Sequence, residues 1–347
     1  MTRKFWLALA VPLLLTASAA EAQEPGEPYK FFREIAGLSQ DQIGAIRSGQ
    51  AVAKVVESGN PDEVFVFGSV YVKGDPEKYI ELASDVELLS KLPGYLAIRR
   101  FNDPPQLSDL EELTLERQDI DELKNCKPGH CEVQLPTEAM EDFKQSIDWS
   151  APDAANRANE LARKMALQAL LNYRSGGNLA LGVYRDKNHP AAMAETFADL
   201  RTRLNALPEY LPELNEYLVD YPKVQLANVQ ANFYWEKVNF GLKPTFRIVQ
   251  RVLYRGESST GPVYAVAEKQ LYASHYFEAA LDLTVCVKDA QRRGFYIITI
   301  KGSKQVGLTG IKGGLVRKVA VDKARSSLAR VLETTKQRLE SDPTRED

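Results

Sequence analysis

Between residues 224 and 301 the chain repeats a two-residue hydrophobic period, then passes into one long amphipathic helix, and that ending leaves few folds open. Residues 231–240 and 245–255 flank Gly241-Leu242-Lys243-Pro244, a turn sequence that suits a hairpin. In the second segment Phe246, Ile248, Gln250, Val252 and Tyr254 alternate with Arg247, Val249, Arg251, Leu253 and Arg255. The first set reads as core, and the second as an outer face carrying three arginines. Residues 263–273 and 275–287 continue the pattern. In the latter, His275, Phe277, Ala279, Leu281, Leu283, Val285 and Val287 lie opposite Glu278, Asp282 and Lys288. After a further strand at 294–301 and the pair Gly313-Gly314, a helix follows whose apolar stripe is Val316, Ala320, Ala324, Leu328, Val331, Thr335 and Leu339. Short loops between alternating segments predict an antiparallel sheet.

The first half carries the same signals. Ser39-Gln40-Asp41-Gln42 is a capping box opening a short helix that ends by Gly49. Residues 51–57 and 63–73 are valine-rich strands around the turn Asn60-Pro61-Asp62. Asp75-Pro76-Glu77 starts a helical stretch through Tyr79, Ile80, Leu82, Val86, Leu88 and Leu89 that Gly94 ends. Residues 95–101, 110–115 and 132–135 are the remaining strand candidates. From 137 to 222 the character is helical, with Ala158, Leu161, Met165 and residues 169–171 on one stripe, and Ser175-Gly176-Gly177 as a stop. Because this block interrupts a strand-rich chain, it reads as an insertion, with a self-standing helical domain as the alternative.

Residues 1–22 have the basic start (Arg3, Lys4), apolar run and Ala20-Glu21-Ala22 ending of a signal peptide. The apolar run 5–15 is far shorter than the roughly 20 residues that span a bilayer. The expected location is therefore outside the cytoplasm, in the periplasm, where thiols oxidise. Cys126 and Cys131 flank the turn Lys-Pro-Gly-His and are expected to form a disulfide. The sharper alternative, a metal site of Cys126, His130 and Cys131, would need a fourth ligand from elsewhere. Cys286 sits in a strand-like run and reads as a small buried hydrophobe. Forty-four basic against 47 acidic residues, a formal charge of −3, leave no global field to hold nucleic acid.

The order strand, helix pair, antiparallel strands and long last helix resembles the START-like helix-grip superfamily. The resemblance rests on residues 63–73, on 75–92 with the segment Asp-Val-Glu-Leu-Leu-Ser-Lys-Leu-Pro-Gly, and on 294–339. It implies an α+β fold in which a curved antiparallel sheet grips the C-terminal helix. The expected division is a leader and short helix at 23–49, the two halves of the START-like domain at 50–136 and 223–340, the helical insertion at 137–222, and a disordered tail at 341–347. Proteins of that superfamily bind lipids, sterols or polyketides between sheet and helix, and some catalyse cyclisation or dehydration. The resemblance thus implies a hydrophobic ligand.

By strand phase, Trp235, Phe246, Ile248, Tyr254, His275, Phe277 and Leu281 are the candidate ligand-binding residues, although aromatic residues at such positions serve equally as ordinary core. His275 could orient a ligand oxygen or act as a base, against the blander reading of a satisfied core histidine. Arg247, Arg251 and Arg255, with Arg317, Lys318, Lys323, Arg325 and Arg330 on the last helix, could attract anionic headgroups or simply be solvated. No phosphate loop, His-Glu-x-x-His or Gly-x-Ser-x-Gly occurs, and no cofactor, metal or catalytic residue is assigned. The reading is an exported protein that binds, and in one version transfers, a lipid or other hydrophobic small molecule, with peripheral membrane contact and no nucleic acid. The inserted helices would cover the entrance, and Gly313-Gly314 would act as a hinge. The alternatives are a cyclase- or dehydratase-like enzyme using His275 and Tyr254, or an envelope interaction module without a cavity.

Overall fold

The computed structural model describes residues 28–341 apart from 93, 205–208, 241–242, 259–260 and 309, so the expected signal peptide at 1–22 lies outside the described residues. So does the expected tail, except for Ser341, which closes the last helix. The alternating segments pair as β1 (Val52–Val56), β2 (Glu63–Val72), β3 (Tyr95–Arg100), β6 (Val229–Val238), β7 (Thr245–Ser258), β8 (Gly261–Ala273), β9 (Phe277–Lys288) and β10 (Phe295–Gln305). Strands β4 (Val183–Tyr184) and β5 (Ala191–Ala192) form a separate small ladder. The large sheet has eight strands in the order β1-β2-β10-β9-β8-β7-β6-β3, every neighbouring pair antiparallel, and it is not closed.

Both faces of this sheet are covered, so β2 is buried along its whole length. On one face, Val64, Val66, Val70 and Val72 of β2, with Phe295 and Ile297 of β10, pack against Leu328, Leu332 and Leu339 of the C-terminal helix, here α10 (Gly310–Ser341). Gly68 permits that approach. A Cβ there would stand 2.8 Å from methyl carbons of both Leu328 and Leu332. The expected α+β architecture, an antiparallel sheet holding a long last helix, is the one observed. We call this side the helix face.

The opposite face is covered by other helices. Phe65, Phe67, Leu281, Leu283 and Tyr296 are covered by α1 (Tyr29–Glu34) and α2 (Gln40–Arg47), and by α8 (Met193–Arg203) and α9 (Pro212–Asp220). Further along, Trp235, Phe246 and Ile248 meet Leu170 and Tyr173 of α7 (Ala154–Gly176). The expected capping box is present. Ser39 Oγ accepts from Gln42 N at 3.3 Å, and Gln42 Oε1 accepts from Ser39 N at 3.0 Å.

Three local expectations change. The stretch after Asp75 is two helices, α3 (Glu77–Ser84) and α4 (Val86–Ser90), because Asp85 is extended and its side chain accepts from Leu88 N at 3.1 Å, capping the second. Residues 110–115 are no strand: a 3₁₀ turn, Leu107–Leu110, leads into irregular chain whose Leu110 and Leu113 plug the core above Trp235. Residues 132–135 are irregular too, tied to the sheet by Gln134 N–H to the Ser274 carbonyl at 2.9 Å. A short apolar run looks alike in either setting. The helices α5 (Arg117–Leu123) and α6 (Thr137–Ser146) follow, and between them the expected Cys126–Cys131 disulfide is formed, which takes both thiols away from any metal.

Candidate functional site

Where the sheet runs beyond the edge of α10, the helix face is not filled. A cavity of about 140 Å³ lies between the sheet, α10 and the α3–α4 pair. Its roof is largely apolar, with Leu82 and Ala83 of α3, Leu88 and Leu89 of α4, Leu92, and Leu328, Val331 and Leu332 of α10, although Thr334, Thr335 and Arg338 of α10 line it too. Its floor is not. Besides Val266 and Ile297 it presents Arg251, Glu268, Asp282, Lys301, Thr284 and Thr299.

The register explains the charges. Arg251 stands opposite Glu268, Glu268 opposite Asp282, and Asp282 opposite Lys301, so one row of alternating charge crosses β7, β8, β9 and β10. Arg251 donates Nε–H to Glu268 Oε2 at 3.1 Å and a second hydrogen bond from Nη2, while Lys301 pairs with Asp282. Thr284 and Thr299 share a hydrogen bond at 2.9 Å. Next to this row, Arg247 Nη1 lies 3.0 Å from Glu236 Oε1, an ion pair in which neither carboxylate oxygen finds a hydrogen bond.

Burial decides the protonation of these groups. It raises the Glu236 carboxyl well above the usual carboxylate range, with Arg247 pulling the other way. Glu268 is also largely buried, yet Arg251 and Arg247 outweigh that and hold it low. Burial would lower the Lys301 amine, but Asp282 and Glu268 more than reverse the effect. Six charged side chains under a helix are more than a core needs, since apolar packing of like volume is commonly as stable. Such clusters mark candidate sites. Lys301, which lines the cavity, keeps 42 % of its side-chain surface accessible.

None of the seven sequence-predicted ligand residues lines this cavity. Trp235, Phe246 and Ile248 face α7, and the Trp235 indole N–H donates to the Asp109 carbonyl at 2.7 Å. Tyr254 and Leu281 belong to the core under α8 and α9, where the Tyr254 hydroxyl donates to Glu213 Oε2 at 3.0 Å. Phe277 packs on Phe240 at 4.7 Å between ring centres. His275 has both ring nitrogens engaged, Nε2 with Asp119 Oδ2 at 3.0 Å and Nδ1 with the Glu132 carbonyl at 2.9 Å. Lys243 adds an ion pair to the other Asp119 oxygen at 3.2 Å. The bland reading of His275 holds. Nor can it work with Tyr254: Ala273 lies opposite Arg247 and Ala265 opposite Tyr254, which at about 3.3 Å per residue separates them by more than about 20 Å.

Of the three arginines read as an outer face, two are covered and Arg255 stays exposed. Arg247 and Arg251 are buried in the charge row, and Arg255 pairs with Glu77 of α3. Helices α7, α8 and α9, from the block read as an insertion, lie on the opposite face of the sheet and do not line the cavity, and Gly313 and Gly314 lie inside α10. Arg251, Glu268, Asp282, Lys301 and, on α10, Arg338 were missed as site residues. Their signal was available: opposite charges at matching phase on consecutive strands.

The other face holds one unusual group. Lys269 is fully buried, its amine near the Tyr173 hydroxyl (3.1 Å), Asn178 Oδ1 and the Leu218 carbonyl (3.5 Å), with the Phe197 ring 4.0 Å away. No carboxylate pairs with it among the described residues, and burial pushes its amine well below the usual lysine value. Among the described residues no cluster of His, Cys, Asp and Glu could hold a metal, and no helix is long and apolar enough to cross a membrane. Compared with protein-family models and with curated proteins, the chain matches none.

Proposed function

We propose that this is an exported binding protein that takes up a small hydrophobic or amphipathic molecule between its sheet and its C-terminal helix, in the manner of START-like helix-grip proteins. The observation that carries the reading is the cavity of about 140 Å³ walled by leucines of α3, α4 and α10. A space of about this size, apolar on its leucine side and charged on its strand side, has room for a benzene-sized molecule. The same observation speaks against an interaction module with a solid interior. It also limits the occupant to a single ring or a short chain, or to the end of something longer.

Transfer to a membrane suits the start of the same helix. Leu315, Val316 and Val319 are exposed there (70 %, 42 % and 60 %), beside Lys318, Lys323 and Arg325, which is the composition of a surface that rests on anionic headgroups.

The test is a thermal-shift and NMR titration of the mature chain with benzene and with hexan-1-ol. Saturable binding is expected, with shifts at Leu82, Leu328 and Leu332. It should be lost in Ala83→Leu, which places extra carbons in the space. Absence of binding by both probes, or binding untouched by Ala83→Leu, refutes the reading.

A further inference from the structure

The walls of the cavity carry unequal charge. Arg251, Lys301 and Arg338 line it against Glu268 and Asp282, a surplus of one positive charge. The two carboxylates are taken, Glu268 by Arg251 and Asp282 by Lys301. Arg338 makes no ion pair with any described residue, although it stands in the last turns of α10 at the cavity wall. Thr334 and Thr335 line the same wall, and at spacings of four and three residues from Arg338 their hydroxyls share its side of the helix. The neighbouring Glu340 is already engaged by Lys336 and by the Lys73 backbone N–H at 2.9 Å, so it does not neutralise the guanidinium.

We propose that the occupant is a single-ring or short-chain carboxylic acid bound as its anion, with the carboxylate at Arg338, Thr334 and Thr335 and the hydrocarbon against the leucines of the roof. The inference rests on the cavity reading above and adds the charge of the ligand. An arginine fork matches a carboxylate in shape as well as charge, and the hydroxyls supply donors beside it. The volume admits a body of about benzene's size beneath that headgroup. A neutral lipid would leave the guanidinium without a counter-charge, and a cation would meet like charge at the wall.

The experiment is isothermal titration of the full mature chain at pH 7 with two pairs of probes, hexanoate against hexan-1-ol and benzoate against benzyl alcohol. Each acid is expected to bind at least ten-fold more tightly than its alcohol, and the ratio should fall below two-fold in Arg338→Gln. A melting temperature of that variant close to the parent's shows that the fold is kept, and Thr334→Val gives a second, milder reduction of the ratio. Equal binding of acid and alcohol by the parent, or a ratio that survives Arg338→Gln, overturns this inference and leaves the cavity reading standing. Failure of all four probes overturns both.

Discussion

Replacing Lys269 by methionine should change how stability depends on pH. The amine is buried without a carboxylate, so its protonated form is penalised in the folded chain and its affinity for a proton falls well below that of an ordinary lysine. In the unfolded chain it titrates near pH 10.4. Between the depressed folded value and about 10.4 the unfolded state therefore binds the extra proton, and stability rises with pH by about 1.4 kcal/mol per pH unit. Methionine has nearly the same length and no proton to bind. The stability difference between parent and Lys269→Met, from urea denaturation at pH 8.5 and 9.5, should therefore shift in the parent's favour at the higher pH, by at most about 1.4 kcal/mol. The absolute difference is less decisive, because methionine also gives up the contacts to Tyr173 and Asn178, each hydrogen bond worth about 1 kcal/mol. The slope is free of that term, and other titrating groups cancel between the two proteins. Parallel pH profiles would refute the reasoning, for they would mean that the folded amine is hydrated or paired.

Gly68→Ala should destabilise the chain by about 1–3 kcal/mol, since its Cβ would lie 2.8 Å from Leu328 and Leu332; urea denaturation of a double-mutant cycle with Leu328→Ala should show a loss smaller than the sum. Converting Cys126 and Cys131 together to serine should lower stability by about 2 kcal/mol, the chain-entropy value for so short a loop, with reductant producing the same loss in the parent and none in the variant. Leu315→Glu with Val319→Glu should reduce co-sedimentation with vesicles rich in phosphatidylglycerol several-fold, because both side chains are exposed and the change adds negative charge among Lys318, Lys323 and Arg325.

Most of the fold is legible in the sequence because its elements are long relative to their period. β7, β8 and β9 span enough residues for alternation to declare itself, and the apolar stripe of α10 repeats over several turns. The short α1 is not legible: Tyr29–Glu34 makes too few turns to show a period, and it is held by Phe32 against Phe67 and Tyr296. Residues 110–115 fail for the related reason that Leu110 and Leu113 are placed by the Trp235 core and not by a ladder.

The site is harder, and the reason is the second layer of helices. Reading Phe246, Ile248 and Tyr254 as the inner face assumes a sheet with one wet side, so that the phase carrying Arg247 and Arg251 must face solvent. Here both sides are covered, and a covered phase rich in charge must pair its charges across strands, as Arg251, Glu268, Asp282 and Lys301 do. The aromatic phase then packs against α7, α8 and α9. The charged phase, whose long side chains spend themselves on one another along the sheet, cannot fill the volume beneath α10 and α4 as branched apolar residues would. The space that remains lies over the polar strand positions, so the cavity follows from the same register that hides the arginines.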